Sequence, residues 1–139
     1  MKKLEPVVVD VNRVKPLSFG ESYDSRMILD HVITHRDNVI QMNHGTVKAG
    51  FALDGGVHEE DEIYYILSGK GKLTLGEKII DVYADQVIFI PAGCFHALDN
   101  SESDTDLKIL TFWRDYRFNE AYAERVRQWG TSFKTIDEE

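Results

Sequence analysis

The chain has 139 residues, a formal charge of -8 and a pI near 5.1: one domain in size, and of the wrong sign for a phosphate backbone, so no nucleic-acid partner is expected. Hydrophobic residues make up 42%, a globular composition, and the single cysteine, Cys94, excludes an internal disulfide and any multi-cysteine zinc cluster. The opening "MKKLEPVVVDVN" does not read as a signal peptide, and no run approaches the roughly 18 apolar residues of a membrane span, so a cytoplasmic protein with no membrane partner is expected.

Short runs rich in Val, Ile, Tyr, Phe and Thr follow one another along the chain. They are "PVVVDV" (6–11), "RMILDHVIT" (26–34), "GTVKAGFAL" (45–53), "EIYYILSG" (62–69), "GKLTLG" (71–76), "KIIDVY" (78–83), "QVIFIP" (86–91) and "LKILTFW" (107–113). Turn signals separate them: "LDGG", "SGKG", "LGEK", "PAG" and "DNSESD". Many short strands at regular spacing predict an all-β sandwich or barrel. One segment differs. "NEAYAERVRQWG" (119–130) is rich in helix formers, with Asn119 to cap its start and Gly130 to end it. Tyr122, Val126 and Trp129 recur at helical spacing and are expected to form its apolar face.

The chemistry centres on "GGVHEEDEIYYILSGKG" (55–71). On an extended strand, residues four apart share a face. His58, Glu62 and Tyr64 then point inward, Asp61 points outward, and Glu59 and Glu60 belong to the preceding loop. An inward carboxylate requires a partner or a metal, and imidazole with carboxylate suits a divalent first-row ion. The pair alone also fits a solvated loop histidine. Further on, "PAGCFHALDN" places His96 behind a tight turn at Pro91 and Gly93. Alone, His96 also fits a packing role.

Together the two segments are more specific. His58, Glu62 and Gly69 stand in the spacing Hx3Ex6G, and Pro91, Gly93, His96 and Asn100 in PxGxxHx3N. This pair resembles the two signature motifs of the cupin superfamily, over about residues 40–113. The resemblance implies a single-domain jelly-roll β-barrel with a C-terminal helix at about 119–129. It also implies a metal near the barrel mouth, and commonly a homodimer. Two positions depart from the motifs. Asp85 stands where the second motif opens with Gly, and Asp tolerates the left-handed turn better than most residues. Gly56 stands where the first motif has a histidine, which leaves His58, Glu62 and His96 as ligands.

Two imidazoles and one carboxylate can hold Fe(II) and leave positions open for substrate and dioxygen; Mn, Ni and Zn are the other ions considered. Tyr64 is a candidate for substrate binding or catalysis, or a packed barrel tyrosine. His44 is a second catalytic candidate, and Arg26 a candidate for binding an anionic substrate, each against a surface alternative. Cys94 reads as structural, and His31 and His35 as a solvated cluster. The resulting expectation is a metal-dependent enzyme, dioxygenase-like, acting on a small polar or anionic molecule. The alternative is a non-catalytic small-molecule binder with a weak or vacant metal site. The apolar "PVVVDV" is expected to lie across a partner's sheet edge.

Overall fold

The protein, described here by a computed structural model over residues 5–138, is built on period-two alternation. Its strands are β1 (Leu17–Phe19), β2 (Tyr23–Leu29), β3 (Gln41–Val47), β4 (Glu62–Ser68), β5 (Lys70–Leu75), β6 (Lys78–Tyr83), β7 (Val87–Ile90), β8 (His96–Asp99) and β9 (Leu107–Trp113). β4 buries Glu62, Tyr64 and Ile66 and turns Ile63 and Leu67 outward. β9 likewise buries Leu107, Ile109, Thr111 and Trp113.

These strands pair antiparallel in two sheets. One has six strands in the order β1-β2-β3-β9-β4-β7, the other three in the order β6-β5-β8. Their inner faces share one apolar core. Ile66, Ile90, Leu107 and Ile109 come from the large sheet, and Leu73, Val82 and Leu98 from the small one. Each such aliphatic side chain contributes about 1.5–3 kcal/mol when fully buried. Asn100, next to the end of β8, is buried and ties the loops at one end of this core. Its amide donates to the carbonyls of Val47 (3.1 Å) and Thr105 (2.8 Å). A buried carbonyl left unpaired costs about 1–3 kcal/mol, so the asparagine that closes the second motif is a structural clasp. Asp85 does adopt the left-handed conformation (φ 70°), and its carboxylate accepts from the Tyr65 hydroxyl.

The architecture is the expected all-β barrel with a C-terminal helix, but four local expectations change. Residues 6–10 form no strand, and a 3-10 turn follows at Val11–Arg13. The run 26–34 is broken by Asp30. Its buried carboxylate caps a short helix, α1 (His31–Thr34), by accepting from the Val32 and Ile33 amides, each at 3.0 Å. The strand placed at 45–53 lies instead at Gln41–Val47, in register with β9 from Gln41 opposite Trp113 to Val47 opposite Leu107. The chain then leaves the sheet in a turn at Gly50 (φ 86°).

The fourth change concerns the C-terminal helix, α2 (Glu120–Trp129). Its ends are as predicted: the Asn119 side chain accepts from the Tyr122 amide, and Gly130 terminates it in the left-handed region. Its buried face is not. Val126 is exposed, Tyr122 and Trp129 are half-buried, and the fully buried residue is Arg125. The helix sits against a polar patch of the barrel, Ser25 and Asn43, to which Arg125 donates two hydrogen bonds. Tyr122 packs instead on His31 and Tyr116, and His31 stacks on Tyr116 at 4.1 Å, so that histidine is packed rather than solvated. No helix among the described residues is long and apolar enough to cross a membrane.

Candidate metal centre

Two tight chain segments bring the candidate ligands together. Gly55 (φ 79°) lies so close to β8 that a Cβ there would overlap the His96 carbonyl and the Ala97 side chain. Only glycine fits. The next residue, Gly56, exchanges two backbone hydrogen bonds with His96, each 3.1 Å. The His58 carbonyl then accepts from the Gly93 amide at 2.9 Å, which ties the Pro91–Gly93 turn to the same loop. Asp61 caps that turn, accepting from the Ala92 amide at 2.8 Å. The run of four acids is thereby sorted: Glu59 is exposed, the Glu60 carbonyl serves His58, Asp61 faces outward, and Glu62 is buried.

His58 Nε2 lies 3.1 Å from Glu62 Oε1, and His96 Nε2 lies 3.3 Å from the same oxygen. The two imidazoles meet edge-on, with ring centroids 4.9 Å apart. The other ring nitrogens decide the tautomers. His58 Nδ1 is 2.8 Å from the Glu60 carbonyl, and His96 Nδ1 is 2.9 Å from the Cys94 carbonyl. A carbonyl only accepts, so each ring carries a proton on Nδ1, and in its neutral form presents a lone pair at Nε2. Two lone pairs and a carboxylate oxygen therefore converge on one place. Such a cluster is stable only around shared protons or a cation. One potential ligand atom from each residue lies within 4.8 Å of the others. The donor set suits a divalent first-row metal, and the backbone carbonyls that orient both rings are the usual outer partners of metal-bound histidine. The trio fits the ion.

Electrostatics agree with this arrangement. Burial works against the Glu62 charge and is the largest effect on it, but hydrogen bonds with His58 and His96 outweigh it and hold the carboxyl below its usual range. Burial also opposes a charged His96, yet the Glu62 contact and the Cys94 carbonyl raise its pKa. The Tyr64 phenol is pushed well above its ordinary value by burial and by the Glu62 charge.

The trio lies on the wall of a cavity of about 530 Å³ that also meets Tyr23, Asn43, Tyr64 and Thr111. Tyr64 stands edge-on to His96, with centroids 6.0 Å apart. His44 and Arg26 are not brought to this cavity. Strand parity places Asn43 and Gly45, not His44, on the inner face of β3, and Ser25, not Arg26, on that of β2. Arg26 instead donates to the Val14 carbonyl at 3.2 Å. Burial, with the Arg26 and Lys108 charges, lowers the His44 pKa and keeps its imidazole neutral. The residues missed from sequence are Tyr23, Ser25, Asn43, Thr111 and Arg125. Parity counted from Gly45, which the inward Tyr23 ring covers, would have found Asn43. Cys94 packs against the core.

The comparisons with known proteins bear on this geometry. The family model for the cupin domain matches residues 43–113, just over half the chain and the whole of the ligand set. The chain belongs to the cupin family. This cupin is 32% identical over 66 residues to an uncharacterised protein of Streptomyces coelicolor, a match that takes in 43% of this chain and 61% of that protein. Solved structures share its fold. One is a predicted oxalate decarboxylase of Thermotoga maritima (TM-score 0.68, 23% identity, 78% of this chain and 98% of that one). A second is the polyketide cyclase RemF of Streptomyces resistomycificus (0.71, 19%, 79% and 80%). A third is a cupin 2 conserved barrel domain protein of Salinispora arenicola (0.63, 17%, 89% and 99%).

Gly56 lines the cavity, and a Cβ built on it meets nothing within 4 Å. Its position is an open edge of the candidate metal site rather than a filled one. Gly56→His in this cupin is therefore expected to fold normally and to bind Zn(II) at least ten-fold more tightly, measured by competition with a chelator. A variant that binds no more tightly than the native chain would show that this edge does not face the ion.

Proposed function

We propose that this cupin is a metal-dependent enzyme acting on a small polar or anionic molecule, with His58, Glu62 and His96 holding a divalent ion. The observation that carries this reading is the convergence of three acceptor atoms beside a cavity, with both Nδ1 protons already committed to backbone carbonyls. Fe(II) is the first choice and Mn, Ni or Zn the others, because two imidazoles and a carboxylate leave several coordination positions open. When bound, such an ion supplies Lewis acidity or a place for dioxygen.

The protein's own residues supply the rest. Glu62 stays ionised and fixes the two rings through one oxygen. Gly56 leaves one side of the site clear for substrate. Tyr64, protonated at neutral pH, can donate a hydrogen bond to a substrate oxygen there. Dioxygenase chemistry is the reading preferred. Structural relatives that include a predicted oxalate decarboxylase and a polyketide cyclase keep lyase and cyclase chemistry beside it. A second reading, a non-catalytic small-molecule binder, draws on Gly56 and on tyrosines that burial holds protonated.

We also propose a cytoplasmic homodimer. The outer face of the large sheet carries adjoining apolar side chains, Phe89, Ile63 and Phe112 in one row and Val87, Tyr65 and Leu110 in the next. Val87 and Phe89 are more than half exposed, at 65% and 58%. A second copy would cover them. Sedimentation at micromolar concentration is expected to show a dimer, and a monomer would remove this proposal.

Protein purified without chelator is expected to hold close to one metal ion per chain by plasma mass spectrometry. Glu62→Ala and His96→Ala are expected to lose at least nine-tenths of it. Native protein without metal, even after incubation with Fe(II) or Zn(II), would favour the binding-module reading.

A further inference from the structure

The wall of the cavity formed by β2 and β3, separated from β4 and Glu62 by β9, holds a chain of hydrogen bonds that the candidate metal site does not explain. It starts at Arg125 on α2, which has no exposed surface. Arg125 Nη2 donates to Ser25 Oγ at 2.6 Å and to Asn43 Oδ1 at 3.3 Å. Its Nε and Nη1 are buried without a hydrogen-bond partner. Asp30 is near enough to act on it electrostatically, but among the described residues no carboxylate pairs with it directly. A buried guanidinium with two unpaired nitrogens is costly unless a negative charge compensates for it.

Arg125 fixes the direction of every bond beyond it. A guanidinium only donates, so the Asn43 atom beside it must be the amide oxygen. Ser25 Oγ accepts from Arg125 and therefore gives its own proton to Asn43 Oδ1, 2.8 Å away. That oxygen is then taken twice, and the Asn43 NH2 group is turned to the Tyr23 hydroxyl at 3.5 Å. Tyr23 accepts there, and its hydroxyl, also within reach of Ser25, has one proton to donate. Gly45 keeps the ring in place, since a Cβ at that position would overlap the hydroxyl. Ser25, Asn43 and Tyr23 all line the cavity. Burial and the Glu62 charge push the Tyr23 pKa up to about 12, so it is a donor at any physiological pH.

We infer that Tyr23 and Asn43, oriented by Arg125, form a donor pole on the β2–β3 wall of the cavity that binds a negatively charged oxygen of the ligand. A positive charge at the root of a hydrogen-bond chain strengthens each donor along it, and the low local dielectric lengthens its reach. The ligand class is a small organic anion whose carboxylate or enolate oxygen meets Tyr23. Tyr23 and Asn43 are binding groups, and Arg125 is a positioning residue. The inference rests on the proposed function for the rest of the ligand, but not for this pole.

Calorimetric titration tests it with acetate and benzoate as probes, each against its neutral amide. The protein is used as purified, with its metal content measured separately. Native protein is expected to prefer the carboxylate over the amide at least ten-fold. Tyr23→Phe, which removes one hydroxyl and leaves the packing intact, is expected to cut that preference at least five-fold with unchanged metal content. Arg125→Met, of similar length, is expected to do the same without changing amide affinity, which a purely structural role would not produce. No carboxylate preference in the native protein, or a Tyr23→Phe preference within two-fold of native, overturns the inference. If no metal is retained but the preference still depends on Tyr23, the metal reading fails and this one stands. If metal is retained and Tyr23→Phe changes nothing, the reverse holds.

Discussion

Three potential ligand atoms gathered on one point are the constraint on which the site depends. The His58 and His96 rings each give their Nδ1 proton to a backbone carbonyl, and their Nε2 lone pairs meet one oxygen of Glu62. Placing such groups together out of water is unfavourable until a positive charge joins them. The surrounding fold is organised to hold them anyway. Gly55 lets the loop approach β8, the Gly56–His96 bridge locks it there, and Asp61 and Gly93 bind the turn that carries His96. None of these features serves the apolar core, which lies between Ile66, Leu73, Leu107 and their neighbours.

The cavity is polarised. One side gathers acceptors and suits a cation; the other gathers donors backed by Arg125. Tyr23 feels both ends, since the Glu62 carboxylate raises its pKa while the Arg125 guanidinium opposes that shift. Burial lowers the Arg125 pKa to about 10, which leaves it charged at neutral pH. A ligand that lies between a cation and a donor pole needs electron-rich atoms at both ends. The cupin barrel supplies the frame, and α2, outside the motif-bearing strands, supplies the charge.

Much of the metal side was legible in the sequence. Strand parity separated Glu62 from three neighbouring acids, and the PxGxxHx3N spacing placed His96, because both rest on local backbone geometry. The conformation of Asp85 was legible for the same reason. His44 and Arg26, each left open between pocket and surface, stand one residue of parity from the inward Asn43 and Ser25. β3 starts at Gln41, three residues after the Asp37-Asn38 turn, and a shift of one residue moves every side chain to the other face. Arg125 was illegible for a different reason. Helical periodicity selects apolar residues, and here the barrel surface facing α2 is polar, which the sequence of the helix does not encode.

X-ray absorption at the metal edge tests the central claim most directly. Zn(II)-loaded protein is expected to show two imidazole nitrogens and oxygen ligands near 2.0–2.2 Å, with one nitrogen lost in His58→Ala and one in His96→Ala. A first shell of oxygen alone, or one unchanged by both substitutions, would contradict it.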